Sequence, residues 1–236
     1  MLTKTIKRFY KTAETAEVDG GLAIRLDGRP VKTPAGKPLV VASKALAEAV
    51  AEEWRAQGET VDPASMPMMQ LAATALDRAG PERDAILGQL MKYAGTDLLC
   101  YRADFPPDLV ARQTAGWTPV LDWATRELDA ALVTTRGVIA VDQPADALDA
   151  LRRRVDSYDV WRLTALQLAT AASGSLMLAL ALVEGFLDAE RAFALSQLDE
   201  TYQIEQWGED AEATERRAAL ARDIGSAERF LALLAQ

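Results

Sequence analysis

Leu163-Thr-Ala-Leu-Gln-Leu-Ala-Thr-Ala-Ala-Ser-Gly-Ser-Leu-Met-Leu-Ala-Leu-Ala-Leu-Val183 runs for 21 residues without a charged side chain. How this stretch is read decides the kind of protein. By length alone it could cross a bilayer. Thr164, Gln167, Thr170, Ser173 and Ser175 dilute its apolar character, however, and Arg162 and Glu184 flank it with no basic bias on either side. Ser173-Gly174-Ser175 reads as a break between two shorter helices. Leu176, Leu178, Leu180 and Leu182 cannot share one helix stripe, so neighbours must cover the second helix on several sides. The expectation is a pair of helices buried at the centre of an α-helical domain, with no stable membrane insertion.

Downstream, Asp188 suits the cap of a helix that leads into an acidic tract. From Asp199 to Glu215 there are seven acids (Asp199, Glu200, Glu205, Glu209, Asp210, Glu212 and Glu215) and no Lys or Arg, which is −7 of a net charge of −9. Leu195, Leu198 and Tyr202 recur at helical spacing, and their stripe continues into Glu205 and Glu209. Trp207 lies on a neighbouring stripe with Ile204, and Gly208 is a natural stop. One reading is a core helix with a solvated acidic end. The other is a recognition surface, in which a Trp anchor stands beside uncompensated carboxylates. On that reading Glu205 lies at the rim of the core and Asp199 on the outer face. Nucleic acid is excluded as a partner, because its phosphates would be repelled.

With 236 residues, half of them hydrophobic and 26% charged, the chain can bury a sizeable core in one large domain or two smaller ones. It has no histidine, which removes His-based triads and the usual zinc and iron sites. Its one cysteine, Cys100, follows Leu98 and Leu99 and reads as an inert buried thiol. No bound metal or nucleotide is expected, and a monomer is. Carboxylate chemistry remains open, since two acids suffice for glycoside hydrolysis. A carboxylate-using hydrolase is therefore the alternative to a binding protein.

The N-terminal part reads as strands. Leu22, Ile24 and Leu26 alternate with Ala23 and Arg25, and Asp27-Gly28 marks a hairpin turn. Val31 and Thr33 continue on a returning strand, Pro34-Ala-Gly36 turns again, and Leu39–Val41 forms a third strand. Gly28-Arg-Pro-Val-Lys-Thr33 lacks the glycine spacing of a phosphate loop. Ser43 caps a helix bearing Leu46, Ala47, Val50 and Trp54 that ends at Gly58, and Pro67 opens another. Gly80-Pro81 is the linker candidate. The expected fold class is α+β: a small N-terminal β-meander plus helices over 1–80, then a larger all-helical domain over 81–236.

In the second part Ile86, Leu87, Leu90, Met91 and Ala94 make a stripe that ends at Gly95. Residues 108–131 read as helix around Trp117 and Trp123, with Pro119 starting a new segment. Thr134–Val141 is a strand or an extended connector. Helices follow from Pro144 to Arg154 and over 212–234.

Several blocks, taken together, resemble one family. They are Arg8-Phe-Tyr-Lys11, Asp27-Gly-Arg-Pro-Val-Lys-Thr-Pro34, Thr74-Ala-Leu-Asp77, Thr96-Asp-Leu-Leu-Cys-Tyr-Arg102 and Leu198 to Asp210. They are similar, in order and over nearly the whole chain, to the chaperones that assist assembly of the catalytic head of the F-type ATP synthase, and more narrowly to the member acting on the α subunit. Lys4, Lys7, Arg8 and Lys11 come with no acid in the first eleven residues, but the segment is short and reads as part of the mature fold. Arg8 to Lys11 falls where mature mitochondrial members begin, so the chain resembles a bacterial, cytoplasmic relative. The resemblance implies no catalysis and no cofactor. It implies that the unassembled α subunit is held by the surface later covered by β. It also implies partner-binding residues in the acidic C-terminal tract: Glu200, Glu205, Trp207, Gly208, Glu209 and Asp210.

Overall fold

The structure is a computed structural model describing residues 6–137, 140–208 and 210–236. It divides into two compact units. One runs to Glu82 and takes in Arg229–Gln236, and the other is Arg83–Glu228.

In the first unit β1 (Ile6–Lys7) precedes an antiparallel sheet of β2 (Ala13–Val18), β3 (Gly21–Leu26), β4 (Arg29–Pro30) and β5 (Val40–Val41). The order is β2-β3-β4, and β5 pairs with the other end of β3. The expected meander is therefore present with one strand more than the alternation around Leu22 shows, because β2 pairs along the whole of β3. The only signal for β2 was the turn at Asp19-Gly20, since Ala13-Glu-Thr-Ala-Glu-Val18 breaks the period of two at Thr15-Ala16 and carries small and charged residues where β-branched ones are usual. At the Asp27-Gly28 turn both residues take positive φ, 48° and 78°. Asp27 tolerates this and uses its carboxylate to accept the backbone N–H groups of Lys11 and Thr12 at 2.8–3.1 Å. Those two backbone donors hold its carboxyl below the usual range.

The sheet is covered by α1 (Lys44–Arg55), which packs on β2, β3 and β5. Ser43 caps α1 by accepting the N–H of Leu46 at 3.1 Å, and its hydroxyl donates to the carbonyl of Leu233. The helix ends at Arg55, short of Gly58; β6 (Thr60–Val61) then pairs with β1. From α1, the buried Glu53 accepts the N–H groups of Met68 and Met69 at 2.7 and 2.8 Å. It thereby supplies the cap that Met66 cannot give to α2 (Pro67–Thr74). Burial raises the Glu53 carboxyl against the pull of these donors. Asp77, in the π-helical turn Ala75–Ala79, accepts from the Thr33 hydroxyl at 2.7 Å and from the N–H of Ala35 at 3.0 Å. Two of the motif blocks thus meet through one carboxylate.

The second unit is helical. It contains α3 (Arg83–Gly95), α4 (Pro107–Leu128), α5 (Ala145–Asp156), α6 (Val160–Ser173), α7 (Leu176–Val183), α8 (Ala189–Ser196), α9 (Leu198–Trp207) and most of α10 (Ala211–Leu234). β7 (Tyr101–Arg102) and β8 (Thr135–Arg136) form a two-residue parallel pair, which resolves Thr135–Arg136 as strand; Val138 and Ile139 lie outside the described residues. Pro119 does not start a new segment. It sits on the exposed face inside α4, between the buried Trp117 and Trp123. Both indoles are anchored in the core, and that burial outweighs the loss of one intrahelical hydrogen bond.

The uncharged stretch that opened the sequence is α6 and α7. Gly174 between them takes φ +71° and accepts the left-handed cap of α6, where a side chain would be strained. All eight residues of α7 are buried, and α3, α4, α6 and α8 pack around it. No helix among the described residues is long and apolar enough to cross a membrane. At the N-terminus of α7 stands Asp97, fully buried. Its carboxylate accepts from the Ser175 hydroxyl at 2.8 Å, the N–H of Met177 at 3.1 Å and the N–H of Leu99 at 3.1 Å. Complete burial still pushes it up to about 6. Next to it Cys100 is buried and free, and desolvation followed by the Asp97 charge raises its thiol to about 12. A thiol in that state is a packing group.

Candidate functional site

The acidic tract follows α8 and is built on α9 and the first turns of α10. Asp188 caps α8 by accepting the N–H of Arg191 at 2.7 Å. Gln197, at φ −106° and ψ 18°, interrupts the path, so Leu195 and Leu198–Tyr202 belong to two helices instead of one. In α9 the first turn carries Asp199 and Glu200, where the helix dipole favours negative charge. Gly208 closes α9 at φ +87°, its N–H donating to the carbonyl of Ile204 at 2.8 Å. Asp210 then starts α10 by accepting the N–H of Ala213 at 2.8 Å.

What orders this tract is α4, lying against it. The indole N–H of Trp117 donates to the carbonyl of Leu195 at 2.9 Å. Gly116 permits the close approach: a Cβ there would stand 2.8 Å from Leu195 Cδ2 and 3.3 Å from Leu198 Cδ1. Gln113 Nε2 donates to Asp199 Oδ1 at 2.8 Å. Arg112 lies 5.3 Å over the Tyr202 ring and 2.7 Å from Glu205. The Tyr202 hydroxyl donates to Asp108 at 3.1 Å; desolvation first, and this bond second, hold the phenol above its usual range. Between α4, α8, α9 and α10 lies a cleft of about 650 Å³ lined by Arg112, Gly116, Phe193, Leu198, Thr201 and Arg217.

Two sequence expectations are corrected by this geometry. The carboxylates are not uncompensated, because Glu200 meets Arg216 and Glu205 meets Arg112, each at 2.7 Å. Asp199 is not on the outer face, since it is half-buried against Gln113, whereas Glu205 is the more exposed of the two. The stripe argument placed Leu195 and Tyr202 inward correctly. Glu205 does follow Tyr202 on the side of α9 that faces α4, since Arg112 contacts both, but it is exposed there. Trp207 is 79% exposed at the end of α9. Glu209 lies outside the described residues. The structure therefore brings Glu200, Glu205, Trp207, Gly208 and Asp210 to one region, and it adds Arg112 and Asp108 from α4, which no local signal in the sequence tied to this tract. Among the described residues no group of three or more metal-ligating side chains occurs. Chemically the region can pair with charge and cover apolar surface.

A two-unit α+β protein with an acidic helical end and an exposed tryptophan has the means of a chaperone, and the comparisons with known proteins define that class. The profile of the ATP12 chaperone protein family matches residues 7–125, and the chain belongs to that family. It is 44% identical to the crystal structure of Atp12 from Paracoccus denitrificans, with a TM-score of 0.92 over 97% of this chain and 98% of that one. It is also similar to mitochondrial protein atp12 of Schizosaccharomyces pombe, 28% identical over 88% of this chain and 76% of that protein. With mitochondrial ATP12 of Saccharomyces cerevisiae it is 24% identical over 88% and 78%.

Proposed function

We propose that the chain holds the unassembled α subunit of the F-type ATP synthase catalytic head, shields its β-contacting surface, and is displaced when β arrives. The observation that carries this reading is the exposure of Trp207 at the acidic end of α9, in a chain of the ATP12 chaperone protein family. A subunit awaiting its partner presents apolar surface that aggregates, and an aromatic anchor ringed by charge is suited to covering it. The activity is binding without catalysis or cofactor: Glu200 and Glu205 are engaged in ion pairs and Asp210 in a helix cap. The protein works as a monomer in the bacterial cytoplasm, as the counterpart of its mitochondrial relatives.

The test is suppression of light scattering by isolated α subunit at a one-to-one ratio, followed by addition of β. The expected result is protection by the parent chain and release of α on adding β. A parent that leaves the scattering of α unchanged defeats the reading.

A further inference from the structure

Phe105 and Trp207 are the two most exposed large hydrophobic side chains among the described residues, at 77% and 79%. They are 102 positions apart in the chain, but both leave the fold at the same end of the α4–α9 pair. Along the contact between α4 and α9, Gly116 faces Leu198, Gln113 faces Asp199, and Arg112 and Asp108 face Tyr202 and Glu205. Residue numbers fall on α4 as they rise on α9, so the two helices run antiparallel. The start of α4 and the end of α9 therefore share one end of the pair. Trp207 is the last residue of α9, about 7 Å along the axis beyond Tyr202 at 1.5 Å per residue. Phe105 stands two residues before the first residue of α4 and three before Asp108, a reach of at most about 10 Å. Asp108 and Tyr202 are themselves joined by a hydrogen bond of 3.1 Å, so both aromatics emerge close to that bond.

We propose that Phe105 and Trp207 are two prongs of one docking surface that takes a polypeptide segment presenting apolar side chains next to Arg or Lys. Single exposed hydrophobics need no explanation, but the two largest exposures emerging at one end of a helix pair do. The partner's charge follows from what surrounds the prongs. Asp104 and Asp108 adjoin Phe105, and Glu205 and Asp210 bracket Trp207; Arg112 is already paired with Glu205. Glu205 is paired with Arg112, Asp108 accepts from Tyr202 and Asp210 caps α10, but among the described residues Arg112 is the one cation set against these four acids, so the rim keeps a net negative charge that an Arg or Lys of the segment would complement. The surface deepens the proposed holding of the α subunit and rests on it: it says which residues outside the acidic tract make the contact and what the held segment contains.

The experiment uses the full chain and isolated ATP synthase α subunit. Dissociation constants are measured for the parent, Phe105→Ala and Trp207→Ala. In parallel, benzoylphenylalanine is placed at position 105, at 207, and at Glu127 near the far end of α4 as a control. The expected result is at least about a tenfold weaker dissociation constant for each alanine variant. Photo-capture of α should occur from 105 and 207, on peptides containing Arg or Lys, and not from 127. The photo-probe keeps an aromatic at each site, so it decides the matter even if an alanine variant folds poorly. Phe105→Ala binding within twofold of the parent, or capture from 207 without capture from 105, overturns the two-pronged surface and leaves the holding of α in place. A parent that does not bind α at all defeats the proposed function, and this surface falls with it.

Discussion

Helices α7 and α9 are of similar length and lie in the same unit, yet they are held in opposite ways. Every residue of α7 is buried, and its N-terminus is capped by Ser175 and the buried Asp97. Of α9 only Tyr202 is buried; the helix is fixed by Gln113, Arg112, Arg216 and the Gly208 stop, and its last residue is bare. Apolar burial stabilises by an amount that scales with area, while surface pairs contribute little each. One helix therefore carries stability and the other is free to carry recognition. The contrast shows where a chaperone can expose apolar surface without endangering its own fold: at the end of a helix whose polar contacts fix its position.

The sharpest way to break this contrast is Leu180→Ala. Leu180 is fully buried in α7, and truncation should cost about 2–5 kcal/mol in urea unfolding. A loss well under 1 kcal/mol would mean that α7 is not the centre of the unit.

Next in size is a pH effect at the cap of α7. Asp97 has a folded value of about 6 against an ordinary 3.8. Its proton is therefore held more tightly in the folded state. Its contribution is fully present below pH 4 and is lost as pH rises to about 6, a change on the order of 3 kcal/mol. Asp97→Asn should remove this part of the pH dependence in unfolding curves taken from pH 4 to 7. A variant whose curve parallels the parent's across that range would show that Asp97 does not titrate there.

Asp188→Ala removes the cap of α8 and should cost about 1 kcal/mol in the same assay. The smallest effect on stability is expected for Glu205→Lys. It breaks an exposed pair with Arg112 and should cost about 1 kcal/mol or less, while weakening the holding of α subunit more than Glu127→Lys does. If Glu205→Lys unfolds the protein, α9 is a structural helix like α7 and the contrast disappears. If it protects α as well as the parent does, the acidic end is only a wet surface.

The fold was legible in the sequence wherever neighbours along the chain carry the information. The Asp27-Gly28 turn, the Ser43 and Asp188 caps and the meander strands depend on residues within about four positions of each other, where hydrogen bonds and periodicity are local. Pro119 misled because propensity is a local cost, and the anchoring of Trp117 by Leu195 overrode it from a distance. In the candidate site the acids, Trp207 and Gly208 could be read directly, whereas their partners on α4 could not. Gln113 and Asp199 are 86 residues apart, and Tyr202 and Asp108 are 94 apart.

The sequence alone determined that α6 and α7 are core helices broken at Gly174, since an uncharged run diluted by hydroxyls and interrupted by glycine can satisfy its surfaces and its backbone only inside protein. It also determined that histidine chemistry is absent. Only the tertiary structure decided which acids are neutralised, that Asp97 is the cap of α7, and that the start of α4 lies at the same end of the helix pair as the end of α9. The reason is that the contacts Asp97–Ser175, Gln113–Asp199 and Asp108–Tyr202 join residues 78 to 94 positions apart, which meet only once the helices pack together, with Gly116 leaving room for Leu195 and Leu198.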